Sequence, residues 1–268
     1  MDTLLYVDTD ATTELRCRVA LELARICGGH IECLQVTANL PLMSNEPFGA
    51  ADLLASKATE AQRHKGTLRA AVEARLGATG VSWRYRALDG DPVRMLVDRA
   101  RLVDLVLLNA TRQPSVLNGA TPSAGEVVSR MQVPVLAIPA ADVTFNAAGP
   151  ALIAWDGSAQ CSHAIRGALE LLRAATMIAI VTVGQEKTDA KAEHAQEYLA
   201  HHRLQSQVVN LPDIGQPISA SLLEALGTFQ AGYVVMGAYG HSRARELLLG
   251  GVTREMLANS PVPILIAH

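Results

Sequence analysis

Ten short, mostly apolar runs punctuate the chain, each four to seven residues long and bounded by turn formers. They are Thr3–Val7, Ile31–Val36, Ser82–Ala87, Leu105–Leu108 and Val135–Ile138, then Ala151–Trp155, Met177–Val183, Gln207–Leu211, Tyr233–Met236 and Ile264–Ala267. Most are continuous rather than alternating, which predicts strands covered on both faces and so a mainly parallel sheet between helices. Helical periods lie between the runs: Leu15, Val19, Leu23 and Ile26 share one stripe, and Ile165, Leu169 and Leu172 another. Strand and helix alternate through each half, so the expected fold class is α/β: two tandem doubly wound domains with mainly parallel five-stranded sheets.

The two halves repeat one another. "LLYVDTDATTELRCRVALELAR" begins at Leu4 and "LIAWDGSAQCSHAIRGALELLR" at Leu152; at a constant offset of 148, Asp8 matches Asp156, Leu21 matches Leu169, Glu22 matches Glu170 and Arg25 matches Arg173. The endings correspond as well, with Val133-Pro134-Val135 against Val262-Pro263-Ile264 and Gly90-Asp91-Pro92 against Gly215-Gln216-Pro217. Pro92 and Pro217 suit a first helical turn, where a missing N–H costs nothing. The stretch "AADVTFNAAGP", Ala140 to Pro150, has small residues and no period and reads as the linker, which sets the domains at 1–146 and 147–268. Two similar domains in one chain suggest an intramolecular pseudo-dimer, with Val135–Ile138 and Ile264–Ala267 pairing across the interface and room left for a homodimer.

Composition narrows the partners. With 49% hydrophobic and 18% charged residues the chain has the make-up of a soluble globular protein, and a net charge of −3 carries no basic excess for nucleic acid. The start shows no basic n-region and no window reaches a membrane-spanning apolar run, so neither signal peptide nor membrane partner is expected. Cys17, Cys27, Cys33 and Cys161 form no C-x2-C pair, which points to reduced thiols and a cytoplasmic setting.

Candidate chemistry concentrates in "VVMGAYGHSRARELLLGGVTREML", Val234 to Leu257. Gly237 follows a predicted strand, at the carboxyl edge where open parallel sheets bind ligands. Gly237 and Gly240 permit positive φ and close backbone approach, and Gly250, Gly251, Val252 and Thr253 precede a helical run whose first amides are free. Two amide-rich loops facing one another make an anion cradle. Turn chemistry explains the same residues if Gly237 and Gly240 build a tight turn and Gly250 is a left-handed helix cap. The first half favours the cradle, because it has Asn109 where the second has Gly237 and Arg112 where the second has Gly240.

The pattern G-x2-G-x9-G at Gly237, Gly240 and Gly250, together with "WDGSAQCSHAIRGALELL" and the "VPILI" ending, resembles the universal stress protein family over nearly the whole chain. The resemblance implies a Rossmann-like fold of the adenine nucleotide alpha hydrolase type, binding ATP with Mg2+ as an accompanying ion. It implies adenosine set against Asp156 and the backbone near Val183, with Gly157 and Met236 beside them. Ribose and phosphates would lie on Gly237, Gly240 and the loop Gly250 to Thr253. The family has Ser or Thr after the third glycine; this chain has Gly251, which removes a hydroxyl and weakens the expected site. The first half keeps Asp8 but loses the glycines, so nucleotide is expected in the second half alone.

His241 and Arg243, with Arg245, follow Gly240 and are candidates to reach phosphates. Trp155 either flanks a base or belongs to the core. His194, His201, His202 and Glu197 share one predicted helix face, which a solvated surface explains better than a metal site. No nucleophile with a partnered histidine is apparent, and the Walker lysine pattern and the dinucleotide glycine pattern are absent, so no catalytic residue is assigned. The expected function is a nucleotide-dependent regulatory or sensing module, with slow ATP hydrolysis and a nucleotide-free dimeric scaffold as the alternatives.

Overall fold

The structure is a computed structural model that describes residues 1–38, 50–140, 143, 145–184, 189–238 and 250–268, with backbone alone for 50–57. In chain order its first half holds β1 (Thr3–Tyr6), α1 (Thr13–Cys27), β2 (His30–Thr37), α2 (Ala50–Leu76), β3 (Ser82–Asp89), α3 (Pro92–Arg99), β4 (Leu105–Asn109), β5 (Pro114–Ser115), β6 (Gly119–Ala120), α4 (Ala124–Val127) and β7 (Val135–Ile138). The second half holds β8 (Ala151–Ala154), α5 (Ala159–Leu172), β9 (Ile178–Val183), α6 (Ala192–His201), β10 (Gln207–Leu211), α7 (Ile218–Thr228), β11 (Tyr233–Gly237), α8 (Gly251–Asn259) and β12 (Ile264–Ala267). All ten strands expected from the apolar runs are present; β5 and β6, a two-residue hairpin pair, were not expected.

The apolar runs form strands because each face of the sheet is covered. Along β1, Leu5 belongs to the apolar cluster on one face, while Leu4 and Tyr6 belong to the cluster on the other. The first face is covered by Leu15, Val19 and Leu23 of α1, Leu68 and Val72 of α2, Ile165 and Leu172 of α5, and Leu199 of α6. Across the sheet lie Leu96 of α3, Val127 of α4, Leu222 and Leu226 of α7, and Met256 and Leu257 of α8. Fully burying one such side chain contributes about 1.5–3 kcal/mol. Ile26 departs from the expected α1 stripe: it is 40% exposed at the helix end, past the edge of the packed layer. Pro92 opens α3 behind Asp91, whose carboxylate accepts from the Arg94 amide at 2.7 Å, whereas Pro217 stands one residue outside α7.

The strands join into one ten-stranded sheet of order β10-β9-β8-β11-β12-β7-β4-β1-β2-β3. Two five-stranded parallel units were expected, and they are continuous because β7 and β12 pair antiparallel, Leu265 opposite Leu136. Every residue in that pairing is 0–1% exposed. On the α1–α5 side, Glu22 accepts from the Ala147 amide at 2.7 Å, and Gly167 of α5 lies so close to Pro134 that a Cβ there would sit 2.7 Å from the ring.

The first half also buries a charge network. Arg16 of α1 is fully buried and pairs with Asp10 at 2.8 Å, donating further to the Tyr6 carbonyl, Thr12, Thr13 and Asn109. Burial by itself would raise the Asp10 carboxyl, but the hydrogen bonds and charge of Arg16, with help from Thr12, outweigh it and hold the carboxyl far below the usual range. Removing one member of such a pair leaves a buried charge without compensation.

Two outcomes follow. Gly167→Leu forces the α5–Pro134 contact apart and lowers global stability by about 1–3 kcal/mol in thermal or denaturant unfolding. Arg16→Met costs about 3–5 kcal/mol, and most of that loss is recovered in the Arg16→Met/Asp10→Asn double variant. Because the folded-state pKa of Asp10 is depressed, its contribution is present above the ordinary carboxylate value of about 4 and is lost as pH falls below it. Acid unfolding of the wild type therefore carries a slope in that range that Asp10→Asn reduces.

Candidate functional site

Within each half the parallel strands end along one edge, and in the second half β9, β8 and β11 end there side by side. Asp156 follows β8 in the turn before α5, where its Oδ1 accepts from the Ser158 amide at 2.9 Å. Gly157 lies in the left-handed region at φ 72°, which a β-carbon would strain. Ser158 caps α5 by accepting from the Cys161 amide at 3.1 Å. This packing leaves Asp156 exposed at the strand edge. Val183 ends β9 half-buried, followed by Gly184 at φ 73°.

Gly237 ends β11, and the reason for a glycine there is a close approach rather than a turn. Its φ is not positive, yet an added Cβ would sit 2.6 Å from the Cys161 amide nitrogen and 3.0 Å from Gln160, in the first turn of α5. The positive φ expected of Gly237 is thus not adopted. Met236 is 5% exposed and belongs to the apolar cluster, so its side chain is core and only its backbone borders the edge. The thiol of Cys161, beneath this contact, donates to the Ala154 carbonyl at 3.2 Å; burial, then the Asp156 carboxylate, pushes its pKa up and keeps it protonated.

Gly250 and Gly251 answer to a different constraint. Gly250 is the N-cap of α8 at φ −56° and ψ 143°, so it is not a left-handed cap. An added Cβ at Gly250 or at Gly251 would meet nothing within 4 Å among the described residues. Among the described residues neither packing nor backbone conformation demands a glycine at either position. Gly250 supplies no capping side chain, so the amides of Gly251, Val252 and Thr253 open the helix without an intrahelical acceptor. Thr253 is 4% exposed and turned inward, whereas Gly251 faces solvent. Gly240, His241 and Arg243, with Arg245, lie outside the described residues.

The same edge of the first half is built from other residues. Strand register makes Asp8, Val36 and Asn109 equivalent to Asp156, Val183 and Gly237. Asp8 is 1% exposed, closed in by the 110–123 loop. The helix that follows, α4, is capped reciprocally by Ser123 and Glu126 at the position Gly250 holds before α8. A cavity of about 650 Å3 lies beside this closed edge, between α1 and α2, lined in part by Thr9, Asp10, Glu14, Leu68 and Arg75. Its carboxylates are committed, Asp8 to Ser115 and Asn118, Asp10 to Arg16 and Glu14 to Arg75.

The remaining candidates resolve as structure. Trp155 is 8% exposed and donates from Nε1 to the Ala190 carbonyl at 3.0 Å, which makes it part of the core. His202 ends α6 with its ring 4.7 Å from that of Tyr198. Sequence reasoning missed the buried group around Arg16 and the Asp8 partners Ser115 and Asn118. The one signal for them was Asn109 standing in the place of Gly237.

Residues 149–268 match the model of the universal stress protein family. A universal stress protein of Synechocystis is 31% identical over 128 residues, which cover 42% of this chain and 40% of that protein, so the chain spans well under half of that relative's length. A universal stress protein structure from Archaeoglobus fulgidus superposes with a TM-score of 0.73 at 18% identity, covering 99% of this chain and 95% of that one. The structure of a protein described as a putative universal stress protein from Pseudomonas aeruginosa gives 0.61 at 13% identity, over 99% and 92%. The cytoplasmic domain of a prokaryotic cation chloride cotransporter shares the fold at a TM-score of 0.55 and 10% identity, over 99% and 95%. The fold is thus compatible with more than one role, and the match to the universal stress protein family model is carried by the second half, residues 149–268.

Proposed function

We propose that the chain is organised as two domains, 1–146 and 147–268, and that the second binds one adenine nucleotide, ATP, whose occupancy makes it a regulatory module in the cytoplasm. The observation that carries this reading is the pair Gly250-Gly251. Among the described residues glycine is required there by neither space nor φ, and no side chain caps this helix N-terminus, at a sheet edge that also presents an exposed carboxylate. Phosphates suit the amides of Gly251, Val252 and Thr253, where free N–H groups and the helix dipole both favour an anion. Asp156 suits a ligand hydroxyl or amine, and the backbone ends of β9 and β11 border the space between. Among the described residues no group of three or more His, Cys, Asp or Glu gathers to hold a metal. An accompanying Mg2+ would therefore draw most of its ligands from phosphate and water. No helix among the described residues is long and apolar enough to cross a membrane. Pairing of chains into homodimers is part of the same proposal; nucleic acid is not.

Calorimetry with MgATP on the whole chain tests it, with one equivalent bound. Asp156→Ala weakens binding about tenfold or more, the loss expected for a hydrogen bond to a charged group. Gly251→Asp leaves the fold intact, since its Cβ enters open space and a carboxylate suits a helix start, yet it repels phosphate and abolishes binding while the unfolding temperature holds. Gly251→Ser restores a hydroxyl and tightens binding. Absence of any bound adenine nucleotide in the wild type at millimolar ATP would end this reading.

A further inference from the structure

Away from both carboxyl edges, toward the amino ends of β2 and β3, three arginines gather on one buried carboxylate. Glu32 of β2 is 5% exposed and shares its sheet face with Leu34 and Val36, the face that α3 covers. Its Oε1 accepts from Arg86 Nε at 3.1 Å and from Arg99 Nε and Nη2 at 3.1 and 2.7 Å, and its Oε2 accepts from Arg84 Nη2. Arg84 and Arg86 come from β3, the outermost strand of the sheet, and Arg99 from the last turn of α3. Burial by itself would raise the Glu32 carboxyl, but the hydrogen bonds and charges of Arg99 and Arg84 outweigh it and hold the carboxyl below its ordinary value. Three guanidiniums against one carboxylate leave two positive charges in excess, and among the described residues none of the three pairs with a second carboxylate. The fold does not ask for this group: register makes Glu32, Arg84 and Arg86 equivalent to Ala179, Gln207 and Val209 of the second half, which carry no charge. One bidentate guanidinium would satisfy a buried carboxylate. Charge on an outermost strand also discourages pairing with another chain, yet that purpose needs neither Glu32 nor Arg99.

We infer that Glu32 is the fixed floor of an anion site, and that Arg84, Arg86 and Arg99 bind a phosphoryl group from the solvent side. Their side chains are 53%, 35% and 37% exposed, so each presents N–H groups to water as well as to Glu32. Arg86 gives only Nε to the carboxylate and keeps the edge formed by its two Nη groups, and Arg84 gives only Nη2. A planar fork with a free edge matches two oxygens of a phosphoryl group. Contact with one shared carboxylate gathers the guanidiniums before any ligand arrives, so the side-chain entropy of assembling them is lost on folding rather than on binding. The exposed guanidiniums stand between the buried Glu32 and water, which shields an incoming anion from its charge. Two charges in excess select a doubly charged oxyanion, either the free phosphate ion or the phosphate monoester of a small molecule; a singly charged anion leaves half the excess unmatched. The group shares no residue with either carboxyl edge, and its occupancy is independent of nucleotide in the second half.

The probes are inorganic phosphate and, separately, glycerol phosphate, titrated calorimetrically against the whole chain in a Gly251→Asp background that closes the α8 start to anions. One equivalent binds at millimolar concentration. Arg84→Gln and Arg86→Gln each weaken binding about tenfold or more, the loss expected for a hydrogen bond to a charged group. Arg86→Lys, which keeps the charge and loses the fork, weakens it too. Tighter binding of the free ion or of the ester supports the site and names its source. Absence of saturable heat with both probes overturns the inference, as does an affinity that neither Gln variant changes. Binding to Arg86→Lys as tight as to the parent overturns it in favour of diffuse charge, and binding of heparin without either small probe overturns it in favour of a polyanion surface. Should an arginine change impair folding, the unsubstituted chain decides by nuclear magnetic resonance. Phosphate then shifts the Nε–H signals of Arg84, Arg86 and Arg99 saturably and leaves that of Arg112, paired with Glu126, in place; signals that do not move overturn the inference.

Discussion

The antiparallel pairing of β7 with β12 is the constraint on which the rest depends. Every other neighbouring pair in the ten-stranded sheet is parallel, so this one seam reverses the direction of the strands between the halves. It also removes the edge that each unit would expose, covering a run of fully apolar residues that could not face water. Reversal places the carboxyl ends of the two sets of strands at opposite edges of the common sheet. The two candidate edges therefore share a core but not a surface, and each has been free to acquire its own residues.

They have diverged by a small number of exchanges with large physical effect. One carboxylate is exposed, as Asp156, and the other buried, as Asp8. One helix start has a glycine with no side chain to give, and the other has a serine and a glutamate that satisfy it reciprocally. Gly237 leaves space that α5 fills, while Asn109 uses its side chain to bind Thr12, Arg16 and Thr121. In the first half polar groups are buried and paired within the chain; in the second the corresponding groups face outward.

Most of the fold was legible because its strands are wholly apolar and its halves repeat. The stripe Leu15, Val19 and Leu23 and the Asp91-Pro92 helix start follow directly from periodicity and capping. Ile26 did not, since a stripe does not tell where the layer beneath it ends. The hairpin carrying Asn118 was illegible for a different reason: strands of two residues, Pro114–Ser115 and Gly119–Ala120, have no period to detect. Arg16 adjoins the α1 apolar stripe and looks like a solvated side chain until the fold brings Asp10 and Asn109 to it. At the second-half edge, spacing singles out Gly237 and Gly250 but does not tell what constrains each. Close packing against α5 accounts for the first, whereas among the described residues nothing packs against the second, and both distinctions are three-dimensional.

The short span of the β5–β6 hairpin has one more consequence. A group tethered on so short a loop competes at an effective concentration of about millimolar, whatever the dilution of the protein. Any outside group that approached Asp8 would therefore meet that standing local supply first, so the closed edge stays closed at any dilution.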